Sequence, residues 1–189
     1  MINYQKLFKE TELEKEFEYR EIKYPEIIDE IGVLRIVSWK DEKGVDPVFF
    51  SKPTWIEDAD CVGKHFAILH KEKVVASARM TFHTTLESVP YYDLLLNHEL
   101  PYLKFPIASI NRLVVHPDFR RKGFSNILDL ARINSCLENK INHIIAQPQD
   151  IRVEPLQKLG FEIICDFTTI PGFPGRHVYL MILNLENNS

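Results

Sequence analysis

The run Ile110-Asn111-Arg112-Leu113-Val114-Val115-His116-Pro117-Asp118-Phe119-Arg120-Arg121-Lys122-Gly123-Phe124-Ser125-Asn126-Ile127-Leu128 decides how this chain is read. It starts as a β-strand, turns at Pro117-Asp118, passes through a cationic loop and opens a helix. Such a loop aims backbone N–H groups, the positive end of a helix dipole and three cations (Arg120, Arg121, Lys122) at one place, which is what a pyrophosphate needs. Gly123 admits positive φ, and a Cβ there would obstruct a closely bound anion. On the residues alone a solvated charge cluster capping a helix has the same pattern, so both readings stand at this point.

The flanks give the segment its setting. In the helix expected over about 123–140, Phe124, Ile127, Leu128 and Ala131 form one apolar arc. Leu130, Ile133 and Leu137 form a second arc, a weak hint of self-association. Upstream, His65–His70 and Val74–Thr84 read as strands joined by Lys71-Glu72-Lys73. In the second, Val74, Ala76, Ala78, Met80 and Phe82 predict a core face, and Ser77, Arg79, Thr81 and His83 a wet or functional one. Asn111 and Arg112 break the alternation of Ile107–Val115, which predicts a bulge.

Farther out, Ile27, Ile28, Ile31, Leu34 and Val37 or Ser38 predict a helix over about 25–39. Lys43-Gly44, Asp46-Pro47, Lys52-Pro53 and Asp58-Ala59-Asp60 make 41–62 mostly loop, and Pro90–Phe105 reads as helix and turn. A short strand over 142–146, a helix over 150–159 and strands near 161–170 and 177–185 complete an α/β pattern with at least one parallel crossover. No repeat or linker divides the chain, so one domain spans 1–189, with an acidic N-terminal part at 1–61 and a core at 62–185.

The 189 residues hold 23 Lys and Arg against 27 Asp and Glu, a net charge of −4 that argues against a nucleic-acid binder. Residues 1–60 carry 9 basic and 15 acidic residues, so the acidic surplus lies in the front third. Either these are solvated helix faces or they supply an acidic wall for a cationic substrate. Cys61, Cys136 and Cys165 fit neither a disulfide framework nor a zinc site. Met1–Lys6 has no apolar signal core, and the run Val178–Leu183 is far short of the roughly 20 residues of a membrane span. The expectation is a cytoplasmic protein with no metal, no nucleic acid and no membrane partner.

The central run resembles motif A of the GCN5-related N-acetyltransferase (GNAT) superfamily: Arg120, Gly123 and Ser125 stand at the Arg/Gln, Gly and Gly/Ala positions. Gln149–Phe161, ending in Leu159-Gly160-Phe161, resembles the family's last helix, and Val178–Leu185 its closing strand. Leu34-Arg35 to Trp39 is similar to its first acceptor-side helix. The resemblance implies a mixed, mostly antiparallel sheet with a splayed parallel strand pair, flanked by helices. It also implies an N-acetyltransferase that moves an acetyl group from acetyl-CoA, or another acyl-CoA, to the primary amine of a small molecule or peptide by direct attack. By this likeness Leu113, Val114 and Val115 meet the pantetheine, Arg120, Arg121, Lys122, Gly123, Phe124 and Ser125 the phosphates, and Gln149 the pantetheine again. Family habit points to a homodimer.

Two departures matter: many members carry Glu where this chain has Ser109 and a proton-donating Tyr where it has Leu156. Ser109 could pass a proton along water, and His83 is a candidate base because its reference pKa is near 6.5. Arg79, Asp58 and Asp60 are candidates for holding the acceptor. His98, Glu99 and His116 read as surface or turn residues, and Tyr91 and Tyr92 begin a segment that packs or walls the acceptor site. Arg35, Asp58/Asp60, Val75–Arg79 and Asn111–Val115 also resemble N-acyl amino-acid and N-acyl-homoserine-lactone synthases, which transfer longer acyl groups. A third reading is an acyl-CoA-binding module without chemistry.

Overall fold

The computed structural model describes residues 2–42, 47–96, 98, 100, 102–167 and 177–186. Their elements are α1 (Tyr4–Glu10), β1 (Phe17–Ile22), α2 (Ile28–Lys40), α3 (Asp58–Val62), β2 (Lys64–His70), β3 (Lys73–His83) and α4 (Tyr92–Leu95). There follow β4 (Ile107–Val115), α5 (Phe124–Glu138), β5 (His143–Ala146), α6 (Asp150–Lys158), β6 (Glu162–Phe167) and β7 (Val178–Asn184). The seven strands form one sheet in the order β1-β2-β3-β4-β5-β7-β6. The pairings of β1 with β2, β2 with β3, β5 with β7 and β6 with β7 are antiparallel, while β4 and β5 are parallel. The mixed sheet flanked by helices is the expected architecture.

Two compact units make up the chain. One consists of residues 5–81 and 112–132, the other of 1–4, 82–111 and 133–189. In the first, β1, β2 and β3 form a meander. Its β2–β3 turn sets Lys71 and Glu72 at φ 49° and 64°, the two positive values that match a two-residue loop to the strand twist. Ile22, Ala67 and Leu69 from β1 and β2 pack with Ile28 and Ile31 of α2, so the start of the helix covers the strands. In the second unit Ile107, Ile145, Leu180 and Ile182 pack with Val89, Leu95 and Leu103, which places these three residues on the core.

The expected two-faced β3 is corrected. Ser77, Arg79, Thr81 and His83 are as buried as Ala76, Ala78 and Met80, whereas Phe82 is exposed. A strand inside a sheet covered on both sides loses the wet face that alternation predicts. The stretch 41–62 is not all loop either: Asp58–Val62 is helical, and Asp60 accepts from the Glu57 N–H at 2.8 Å. In β4, Arg112 lies in the left-handed region at φ 51°, where the run of buried residues 107–110 gives way to half-buried ones. On the second arc of α5, Leu130 and Ile133 are buried within the chain and Leu137 is half-buried. Lys43-Gly44, Asp46, Glu99 and the expected strand beyond Phe167 lie outside the described residues.

Candidate active site

The first unit contains the cationic loop. Pro117–Phe119 forms one 3-10 turn after β4, and Arg121 and Gly123 then take φ values of 66° and 79° before α5 begins. Gly123 O accepts from the N–H groups of Asn126 and Ile127, so the helix proper starts at Phe124. The first N–H groups of a helix have no partner within it and face outward. A Cβ built on Gly123 would meet nothing within 4 Å. The loop is therefore open at Gly123, beside the positive end of the α5 dipole, and the residues fit the phosphates of an acyl-CoA. Phe124 is buried and Ser125 half-buried. Phe17 packs edge-on against Phe119 and Phe124, at 5.9 and 4.9 Å between ring centroids, so the loop is braced from β1.

Next to the loop in sequence, β4 keeps Val114 buried and Leu113 and Val115 half-buried. The Ser38 hydroxyl donates to Val115 O at 3.2 Å, and the His116 N–H donates to Val75 O at 2.8 Å, which fixes the end of the strand.

The same unit contains a cluster of ions that extends well beyond the residues singled out from sequence. Asp60 receives both guanidinium nitrogens of Arg35 at 2.8 and 2.9 Å and Arg79 at 2.8 Å. Arg35, Asp60 and Arg79 are at most 2% exposed. Burial alone would raise the Asp60 pKa, but the Arg35 hydrogen bonds and charge hold it well below the usual carboxylate range. Glu57 accepts from Arg79 at 3.0 Å, from Arg112 at 2.8 and 2.5 Å and from Trp55 Nε1 at 3.2 Å. Burial pushes the Glu57 pKa up, and the arginines bring it down below its ordinary value. Arg112 also lies over the Trp55 ring, 4.6 Å from its centroid, and Trp55 packs with Trp39 and Phe50.

Asp60 and Arg79 are thus committed to one another and to Arg35 inside the protein. Their expected contact with an acceptor is not available in this arrangement, since both are buried ion-pair partners. Asp58, by contrast, is exposed. Sequence reading missed Glu57, Trp55 and Gly63. The Glu57-x-x-Asp60 spacing, which puts two carboxylates on one side of a turn, was the available signal. Gly63 is required because a Cβ there would lie 2.9 Å from Ala59 O and 3.0 Å from Arg79 Cγ and Cδ.

In the second unit β4 and β5 pair over only Ala108–Ile110 and Ile144–Ala146. β5 then ends ahead of Pro148, which has no N–H to continue the ladder, while β4 runs on to Val115. Beyond Ile110 the β4 backbone has no β5 partner, the condition for a splayed pair. Gln149 stands immediately before α6 and bridges to Val178 of β7, and Leu156 is buried on α6. Ser109 is fully buried, with the Asn111 amide near its Oγ at 3.5 Å. His83 is buried too; its Nδ1 lies 3.1 Å from the Ser88 hydroxyl, and burial pushes its pKa below the ordinary histidine value. The second unit also brings together Tyr179, His177 and Asp150, the phenol donating to Asp150 at 3.0 Å. His98 stands 3.5 Å from Cys165 Sγ, His116 accepts from the Asp118 N–H, and Tyr91 is exposed. Among the described residues no group of three or more His, Cys, Asp or Glu could hold a metal, and no helix is long and apolar enough to cross a membrane.

No family model matches the sequence, and no curated protein is similar enough to it in sequence to count as a relative. Solved structures do match. The N-acyl amino acid synthase FeeM from uncultured soil microbes is 13% identical with a TM-score of 0.66, over 89% of this chain and 91% of its own. The AHL synthase LasI is 16% identical with a TM-score of 0.66, over 90% of each chain. A GNAT family acetyltransferase from Elizabethkingia anophelis, with acetyl-CoA bound, is 11% identical with a TM-score of 0.57, over 91% of this chain and all of its own. With its strand order, its short parallel β4–β5 pair and its loop before α5, the chain has the GCN5-related N-acetyltransferase fold.

Proposed function

We propose that the chain is an acyl-CoA-dependent acyltransferase that acetylates the primary amine of a small molecule or peptide. The observation that carries this reading is the open loop at Gly123, directly before the first turn of α5, where φ is 79° and a Cβ would meet nothing within 4 Å. Acetyl-CoA, when bound, supplies an activated thioester. The residues that would hold it are Arg121–Ser125 at the phosphates, with the backbone of Leu113–Val115 and Gln149 along the pantetheine. Holding donor and amine together lowers the barrier by converting a bimolecular step into an intramolecular one. The proton of the attacking ammonium must leave before or during attack. His83, kept neutral by burial, and the Ser109 hydroxyl are the candidates for passing it on, with Asp58 as the exposed carboxylate on the acceptor side.

A specific observation favours a second reading, a synthase with a longer acyl donor. The residues quoted for that likeness, Arg35, Asp60, Arg79 and Arg112, are joined through Glu57 into one ion cluster. Turnover of acetyl-CoA and of a long-chain acyl-CoA against a panel of amines and amino acids separates the two. Faster turnover of acetyl-CoA supports the first and faster turnover of the long-chain donor the second. Tight CoA binding with no turnover of either donor would leave a binding module instead.

A further inference from the structure

The three loop cations sit in unlike surroundings. Arg120 is held by three acceptors at the end of α2: Ser38 O at 3.2 Å, Asp41 at 2.8 Å and Glu42 at 3.1 Å. Lys122 lies 3.3 Å from both oxygens of Glu14 and stands 5.3 Å from the centroid of the Phe17 ring. Arg121, between them, is exposed and makes no ion pair among the described residues. All three acidic partners come from the acidic front third of the chain.

The loop has a reason to need such anchors. It carries the non-glycine Arg121 at φ 66° and Gly123 at φ 79° in succession, and a side-chain residue at positive φ persists only where its surroundings hold it. A single exposed ion pair contributes little, but a planar guanidinium engaged by two carboxylates and a carbonyl of one helix end is pre-organised. Ser38 ties that same helix end to β4 through its hydroxyl on Val115 O. The last turn of α2 thus grips both the strand before the loop and the loop itself.

We propose that Arg120 and Lys122 are positioning residues, holding the loop in its anion-accepting shape against Asp41, Glu42 and Glu14, and that Arg121 alone supplies side-chain charge to the phosphates. This rests on the acyl-CoA reading. It implies that one cation, not three, faces the ligand, so affinity falls only gently with salt.

The test is calorimetric titration of coenzyme A into the full chain at several salt concentrations, with the melting temperature of each variant taken to establish folding. Arg121→Gln weakens binding by about tenfold, the worth of one charge-assisted contact, and flattens the salt dependence. Arg120→Gln weakens binding but leaves the salt dependence of the wild type. The partner-side variant Asp41→Asn/Glu42→Gln, which keeps Arg120, also weakens binding even though it removes two negative charges near an anion site. If Arg120 were a phosphate ligand restrained by those acids, that variant would bind more tightly. Tighter or unchanged binding in it, or a salt dependence that Arg120→Gln flattens as much as Arg121→Gln does, overturns the proposal. Wild-type protein that binds no coenzyme A removes the acyl-CoA reading and this inference with it, whereas wild-type binding that Arg121→Gln leaves intact removes the division of labour alone.

Discussion

The same chemistry, cationic side chain against carboxylate, appears twice in one unit with opposite consequences. The Arg35–Asp60–Arg79 cluster is sealed from water, while Arg120 with Asp41 and Lys122 with Glu14 are pairs a third to two thirds exposed. In the first, each charge was stripped of water and depends wholly on its partners; in the second, water can replace a lost partner. The buried set therefore fixes how α2, α3 and β3 meet, and the exposed set can respond to a ligand.

The largest effect expected is from Asp60→Asn, which leaves Arg35 buried without its carboxylate and Arg79 with Glu57 as its remaining carboxylate partner. It should cost about 3–5 kcal/mol, read as a lower urea midpoint. A shift within error would mean the cluster relaxes into water. Next comes Gly63→Ala, whose Cβ would press on Ala59 O and the Arg79 stem. It should destabilise more than Gly123→Ala, which enters open space and carries only the backbone cost of positive φ, roughly 1 kcal/mol. The reverse ranking in thermal melts would contradict the described packing.

Acid should act on the buried groups in sequence. His65, His83 and His143 are held below the ordinary histidine pKa by burial. The unfolded chain therefore binds protons first, and stability is lost as pH falls below about 6.5. Asp60, whose pKa is depressed, contributes stability that is fully present above its unfolded value near 4 and is lost only at lower pH. Denaturant midpoints that stay level between pH 7.5 and 5 would refute the histidine part. The smallest effect is from Glu14→Gln: one exposed pair is lost, and the melting temperature should stay within error.

What was legible in the sequence follows the same division between local and distant causes. The strand–loop–helix run, the break at Asn111-Arg112 and the hairpin could be read because each is set by neighbours within a few residues. The two-sided burial of β3 could not, since alternation records only chemistry along one strand and not what covers it. Arg79 and His83 looked solvent-facing for that reason. The Glu57 link to Arg112 spans 55 residues, a pairing that no local pattern encodes. The acidic surplus was legible as a number, but its meeting with the loop cations depends on tertiary structure.

The central claim, that the loop before α5 is the cofactor's cradle, is tested most directly by the backbone amide spectrum of the protein titrated with coenzyme A. The account predicts that the amides of Arg121 to Ser125 move first and furthest, and that Gly123→Leu abolishes those changes while the rest of the spectrum stays folded. Saturable changes centred elsewhere, or no change at millimolar coenzyme A, would contradict it.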